Sequence, residues 1–272
     1  MKKNVRILIP NFNKGPFIVK TIRSVLRQTY KHWQLTIIDN KSSDDSVFLI
    51  KKYFKKNLAN KSIKLIINKK HISQGQNWNL CLKNIGNYEY YKILCSDDTI
   101  ESDHLERAVK ALKHTGNLYY AYGCNIHYID KDDNIIGMRS YGFHGFEFWL
   151  SLYYRNFIGT PSSMVFKTSE YDFYQFEEIA YVGDLLVSMN YYTKGQRVLF
   201  DKKIGSNFRL SEQSDTTKNY GSKDMLLGRR FLRQRVINKI HAPFIIKIIL
   251  WIISGFITIT EIVFFRLSRL FS

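Results

Sequence analysis

Phosphate-loop glycines, a metal-ligand cysteine pattern and an even cysteine count are all missing from this 272-residue chain. Gly75 stands alone, without the glycine spacing that cradles phosphates, so no P-loop is expected. Cys81, Cys95 and Cys124 are odd in number and lack ligand spacing, which points to free thiols in a reducing compartment. The first apolar run, "VRILIP", is too short for a signal-peptide core, so the chain is expected to begin and stay in the cytosol. The seven histidines share no spacing, and none is assigned to metal. Acidic side chains are scarce, 23 against 41 Lys and Arg, and the formal charge of +18 calls for an anionic partner. That partner could be nucleic acid, a phosphate-bearing substrate or an acidic membrane surface. Basic and aromatic residues do not interleave over a recognisable module, which argues against nucleic acid. With 45% hydrophobic residues the chain has enough apolar material for a sizeable core.

What is present alternates between strand and helix. Short β-favouring runs lie at 5–9, 34–39, 63–68 and 90–95. Between and after them fall helical patterns: one opened by Gly15-Pro16, one carrying Val47, Ile50 and Phe54, one near 78–85, and one over 103–112. Ser42 to Asp45 supply the N-cap and first-turn acids of the second helix. This order predicts an α/β fold, a Rossmann-like and mostly parallel sheet flanked by helices. Ligands of such sheets sit beyond the carboxyl ends of the strands. The second half differs: 118–138 read as paired strands around an Asp130–Asn134 turn, 162–167 as another strand, and 184–194 as a helix.

Three polar loops fall at the carboxyl edge: Pro10–Asn13, Asp39–Ser43 and Ser96–Asp98. In "YKILCSDDTI" (91–100), Asp97 and Asp98 follow an apolar strand. A solvated turn is the plainer reading. The alternative is a site for Mg²⁺ or Mn²⁺, which takes one or two carboxylates plus substrate phosphate oxygens. Asp39 and Asn40 leave helix capping to their neighbours, so their side chains are expected to be free for a base or ribose, with Pro10–Asn13 as the wall beside them. Trp78 reads either as core with Leu82 and Ile85 or as a platform near a nucleotide.

Taken in order, these segments resemble family 2 glycosyltransferases of the GT-A fold. The likeness rests on "ILIPNFNKGPFIVKTIRSVLRQTYKHWQLTIIDNKSSDDS" with its Ser24-Val25-Leu26-Arg27-Gln28-Thr29, on "SQGQNWNLCL" (73–82) and on the aspartate pair. "GTPSSMVFK", "FEEIAYVGDLLVSMNYYTKG" and "FRLSEQSDT" extend it to about residue 216. The resemblance implies an inverting transferase with a nucleotide-sugar donor, UDP-, dTDP- or GDP-linked, and a glycan or polyprenyl-linked acceptor. It places a Mg²⁺ or Mn²⁺ ion on Asp98, with Asp97 at the ribose or at the cation's waters. Pro10 and Phe12 fall around the base and Asn40 on the pyrimidine, with Asn13, Asp39 and Asn77 counted among the nucleotide-binding residues. Asp184 falls on the catalytic base. Chemistry agrees with that economy, since one carboxylate takes the acceptor proton and a metal-neutralised diphosphate leaves without a general acid. The chain departs from the family at Gly183, often an acid there, at Gln76, often arginine, and at Arg209-Leu210-Ser211, usually Arg-x-His. Arg209 is therefore expected to carry more of the diphosphate contact.

After Gly221 the composition shifts to a basic helix and then to "FIIKIILWIISGFITITEIVFF". Its uninterrupted apolar stretch, 248–260, is shorter than the roughly 20 residues of a membrane span, whereas 244–265 with Lys247 and Glu261 included is long enough. A span and a helix packed on the domain or on another subunit are the alternatives to a monotopic anchor. The expectation is a GT-A domain over 1–220, divided into a nucleotide-sugar half (1–115) and an acceptor half (116–220). Residues 221–272 would form a helical appendage holding the chain, peripherally or monotopically, on the anionic cytoplasmic face of the cell membrane.

Overall fold

The computed structural model describes residues 4–116, 118–142, 159–168, 197–211, 222–239 and 243–268. Four strands carry the first half: β1 (Val5–Asn11), β2 (Trp33–Asp39), β3 (Ile63–Ile67) and β4 (Tyr90–Ile93). All are parallel, in the order β3-β2-β1-β4, and the register runs from Val5 opposite Trp33 to Asn11 opposite Asp39. The β-branched and apolar residues of β1, β2 and β4 are buried on both faces, as a covered parallel sheet requires, while β3 at the edge buries only Ile63 fully. The crossovers are α1 (Gly15–Leu26), α2 and α3 (Ser46–Tyr53, Lys55–Ala59) and α4 (Gln74–Lys83), with α5 (His104–Lys113) beyond β4.

The second half is mixed. β8 (Met164–Lys167) pairs antiparallel with β4, and β6 (Tyr119–Ile129) pairs antiparallel with β8. β9 (Arg197–Arg209) runs parallel to β6, while β5 (Thr99–Ile100) closes the path antiparallel to β9. β7 (Ile135–Arg139) folds back on β6 as the expected hairpin. One apolar core lies under α1, α2 and α5; the other lies under α4 and includes Leu82, Tyr91, Tyr120 and Phe166. Trp78 packs against the second core, in line with its structural reading.

Two local expectations are corrected. The N-cap residue of α2, Asp45, makes no side-chain cap bond. Asp44 instead accepts from Ser46 N–H (2.9 Å) and from Gly15 N–H at the start of α1 (2.7 Å), tying two helices together. A Cβ on Gly15 would lie 3.0 Å from that carboxylate, which explains the glycine. The helix expected near 78–85 begins earlier, at Gln74, because Ser73 and Gln76 form a reciprocal capping box.

At the carboxyl end of the chain, α6 (Lys223–Lys239) contributes Leu232 to the second core. α7 (Phe244–Ser268) packs on α6 with its polar and small side: Ser254 and Thr258 are buried, and Arg233 donates to Thr258 Oγ1 at 2.8 Å. Phe244, Ile245, Trp251, Ile252, Phe256 and Ile259 face outward, Phe256 being 68% exposed. This polarity is the reverse of a helix resting on a protein core in water. Among the described residues no helix is long and apolar enough to cross a membrane.

Candidate active site

β1, β2 and β4 deliver their three polar loops to one edge, as the sequence implies. Asp39 is fully buried and spent internally: Oδ1 accepts from Asn11 Nδ2 (2.7 Å) and Ser42 Oγ (2.6 Å), and Oδ2 from Ser42 N–H (2.9 Å). Asn13 takes a left-handed φ of 50°, which asparagine tolerates, and receives Ser43 N–H at 2.8 Å. Asn40 is buried too. Its Nδ2 donates to the Ile72 carbonyl (2.8 Å), and its Oδ1 accepts from Ile72 N–H (3.0 Å) and Asn68 Nδ2 (3.1 Å). Asn77, also buried, donates to the Ile38 carbonyl (3.3 Å) and accepts from Asn68 (3.0 Å). The expectation that Asp39 and Asn40 are free is thus corrected: Asn11 and Ser42 take the Asp39 carboxylate, and a loop over 68–73 folds back onto the Asn40 amide. Pro10 is buried, whereas Phe12 is 42% exposed and lies 4.5 Å from the His71 ring.

Asp97 and Asp98 do not face solvent as a simple turn would. Asp97 pairs with Lys14, Nζ to Oδ2 2.9 Å. Asp98 is 1% exposed; its Oδ1 accepts the Arg209 N–H at 2.9 Å, while Oδ2 is buried with no partner. Burial, and then the neighbouring Asp97 charge, pushes the Asp98 carboxyl up to about 7, against the opposing pull of the nearby Ser162 hydroxyl and of Arg209. An acid kept in this state gains by meeting a cation. Among the described residues no three His, Cys, Asp or Glu cluster as a metal cage, so further ligands would have to come from a bound oxyanion.

Several further residues hold this pair in place, among them Ser24 and Gln28, which the sequence reading named only as part of a motif and gave no role. Thr21 Oγ1 donates to the Ser96 carbonyl (3.0 Å), and Ser24 Oγ accepts from Ile100 N–H (3.2 Å). Gln28 spans the Glu101 carbonyl (2.6 Å) and Leu105 N–H (3.0 Å). On the other side Lys92, fully buried within β4, donates to the carbonyls of Ser162 and Met164 and to His104 Nε2. Its three N–H groups are thereby used, and burial lowers its ammonium to about 8. Burial and the nearby Lys92 and Arg107 charges hold His104 well below its ordinary value, so it is neutral and accepts at Nε2. The short Pro161–Ser163 turn fixed by Lys92 places Ser162 Oγ to receive Cys95 N–H at 3.0 Å.

Arg209 corrects a second expectation. Instead of reaching toward a diphosphate, its guanidinium is wholly buried. It donates through Nε to the Asp97 carbonyl (2.8 Å), through Nη1 to the Asp130 carbonyl and through Nη2 to Asp133, and it lies over the Phe17 ring. Beside it, between α1 and the β6–β7 turn, opens a groove of about 860 Å³ lined by Lys20, Arg23, Asp103 and Asp133. Lys20 and Asp133 pair across that groove, its charges are mixed, and the strand-end loops take no part in it. Asp184, Gly183 and the flanking Glu177 and Glu178 lie outside the described residues.

The model of glycosyl transferase family 2 matches residues 6–174, a span that includes every strand-end loop above. A glucosyltransferase of Escherichia coli, UDP-Glc:alpha-D-GlcNAc-diphosphoundecaprenol beta-1,3-glucosyltransferase WfgD, is 29% identical over 119 residues, 44% of each chain. The chain spans under two thirds of the length of the curated relatives it matches, from 18% to 66%. Among solved structures, S. aureus TarS 1-349 in complex with UDP-GlcNAc superposes with a TM-score of 0.67 at 16% identity, covering 91% of this chain and 70% of that one. The mannosyltransferase PcManGT from Pyrobaculum calidifontis, in complex with GDP-Man and Mn²⁺, gives 0.64 at 15% identity, covering 92% and 68%. These structures share the fold of the chain, a mixed α/β sheet with flanking helices.

Proposed function

From a chain that belongs to glycosyl transferase family 2, we propose an inverting transferase that moves a sugar from a nucleotide diphosphate donor to a hydroxyl of a lipid-linked or polysaccharide acceptor. The observation that carries this reading is the buried Asp98 carboxylate, one oxygen tied to Arg209 and the other without a partner, beside Asp97 at the edge where parallel sheets bind ligands. Asp98, with Asp97 next to it, would hold Mg²⁺ or Mn²⁺, which supplies charge neutralisation at the donor diphosphate. The residues of the chain do the rest. Phe12 offers an exposed aromatic face to a base, Lys92 and Arg209 keep the aspartate loop in position, and Asp184 takes the proton of the attacking hydroxyl. The relatives support the substrate classes: WfgD is named for UDP-Glc and a diphosphoundecaprenol acceptor, and the two structures hold UDP-GlcNAc and GDP-Man.

The test is a thermal-shift screen of UDP-, dTDP- and GDP-sugars with and without Mn²⁺. At least one donor should raise the melting temperature, and more so with the metal. A hundredfold excess over Kd corresponds to about 2.7 kcal/mol of stabilisation. Silence from every donor would overturn the reading.

The outward apolar face of α7, beside the arginines of α6, supports attachment to an anionic bilayer surface. Removing everything after Gly221 should abolish co-sedimentation with phosphatidylglycerol vesicles, whereas the full chain pellets and is released by salt. Undiminished binding of the shortened chain would place the membrane contact elsewhere.

A further inference from the structure

Three asparagines form a relay whose direction is set by a group that can only accept. The Ile38 carbonyl receives Asn77 Nδ2, which leaves Asn77 Oδ1 to receive Asn68 Nδ2 at 3.0 Å. The same Asn68 amide nitrogen donates to Asn40 Oδ1 at 3.1 Å. Asn40 is therefore held in one of its two amide orientations, with Oδ1 as acceptor and Nδ2 as donor. Its complement is an edge carrying N–H beside C=O, and Ile72 supplies one: N–H to Oδ1 at 3.0 Å and carbonyl from Nδ2 at 2.8 Å. The preceding residue, His71, sets its heteroaromatic ring against the half-exposed Phe12, centroids 4.5 Å apart. Two consecutive residues thus present a flat ring to an aromatic wall and a donor–acceptor edge to a buried amide. A nucleobase makes both of those contacts.

We propose that His71–Ile72 is an internal stand-in for the donor's base, displaced when the nucleotide binds, and that the asparagine relay limits that base to a lactam edge. Uracil, thymine and guanine carry such an edge, a ring N–H beside a carbonyl. Cytosine and adenine carry the opposite pair, an accepting ring nitrogen beside an amino group, and would meet Asn40 donor to donor and acceptor to acceptor. This rests on the nucleotide-sugar reading above. The segment is built to leave: His71 is exposed and Ile72 only half-buried. Its contacts with Asn40 and Phe12 are of the kind a bound base would replace one for one, so displacement loses few net interactions.

The full chain with UDP, GDP, CDP and ADP as probes, by calorimetry in Mn²⁺, gives the first test. UDP or GDP should bind at least about tenfold tighter than CDP and ADP, a margin near 1.4 kcal/mol. Hydrogen exchange supplies the second: the Ile72 amide should exchange faster when UDP or GDP is bound, since its acceptor is taken. His71→Ala should tighten nucleotide binding by weakening the competitor, where a residue that touches the ligand would loosen it. Asn68→Asp, which cannot donate, should let the Asn40 amide turn over and erase the tenfold margin. Slower exchange at Ile72, looser binding by His71→Ala, or equal affinity for all four nucleotides would each overturn the proposal. Failure of every nucleotide to bind would instead remove the transferase reading on which it stands.

Discussion

Asp98→Asn should cut sugar transfer by about 10³-fold while raising the melting temperature of the metal-free protein at pH 8. The loss follows from the several kcal/mol of charge neutralisation that a cation held at this carboxylate supplies, at 1.36 kcal/mol per tenfold. The gain has a different origin. The carboxyl is pushed up to about 7 by burial and by Asp97, so ionising it costs more in the folded chain than in the unfolded one. The penalty is absent below the ordinary carboxylate range, grows as pH rises to about 7 and is constant above. Asparagine removes it and still accepts the Arg209 N–H through its carbonyl oxygen. The two melting curves should therefore converge toward pH 4 and separate toward pH 8, with Mn²⁺ stabilising only the parent. Unchanged transfer, or curves that separate toward low pH, would show that Asp98 is neither the metal ligand nor the strained acid described here.

Asp184→Asn should lower kcat by about 10²- to 10⁴-fold, the usual contribution of a positioned general base, with no change in donor affinity. The measurement is product formation from the active donor beside donor binding by calorimetry. Equal losses in both would make Asp184 a binding residue. Transfer that survives intact would move the base to another carboxylate, with Glu177 and Glu178 the nearest in sequence.

The first half of the fold was legible because its strands are short, apolar and closed by turn residues, so period and punctuation agree over β1 to β4. β9 was not. Asp201, Lys202 and Lys203 interrupt it, and its thirteen residues show no regular alternation of buried and exposed positions, so no strand is assigned there from the sequence. At the site, the converging loop ends and the aspartate pair could be read from the linear order alone. The supporting residues could not, because their partners lie far away in sequence. Lys92 looks misplaced in an apolar run until the Ser162 carbonyl, 70 residues on, comes to meet it. Asn40 looks free until 68–73 closes over it, and Arg209 looks available to a phosphate until the Asp97 loop and the Asp130–Asp133 turn take its Nε, Nη1 and Nη2. Type and position of charge were readable; which charges are already satisfied was not.

Arg209 bears on how this protein can change over time. One guanidinium fastens the carbonyl of Asp97 to the Asp130–Asp133 turn, so a surface hairpin and the loop bearing the aspartates share a single fastening. The partners described for the aspartate carboxylates are Lys14 and the Arg209 N–H, yet the turn and its acid at 133 bear on whether the arginine keeps its place. Those two stretches must then be inherited as a set. Grafting the β6–β7 hairpin from a relative, without the matching residue at 209, would loosen the aspartate loop while leaving Asp97 and Asp98 themselves unchanged.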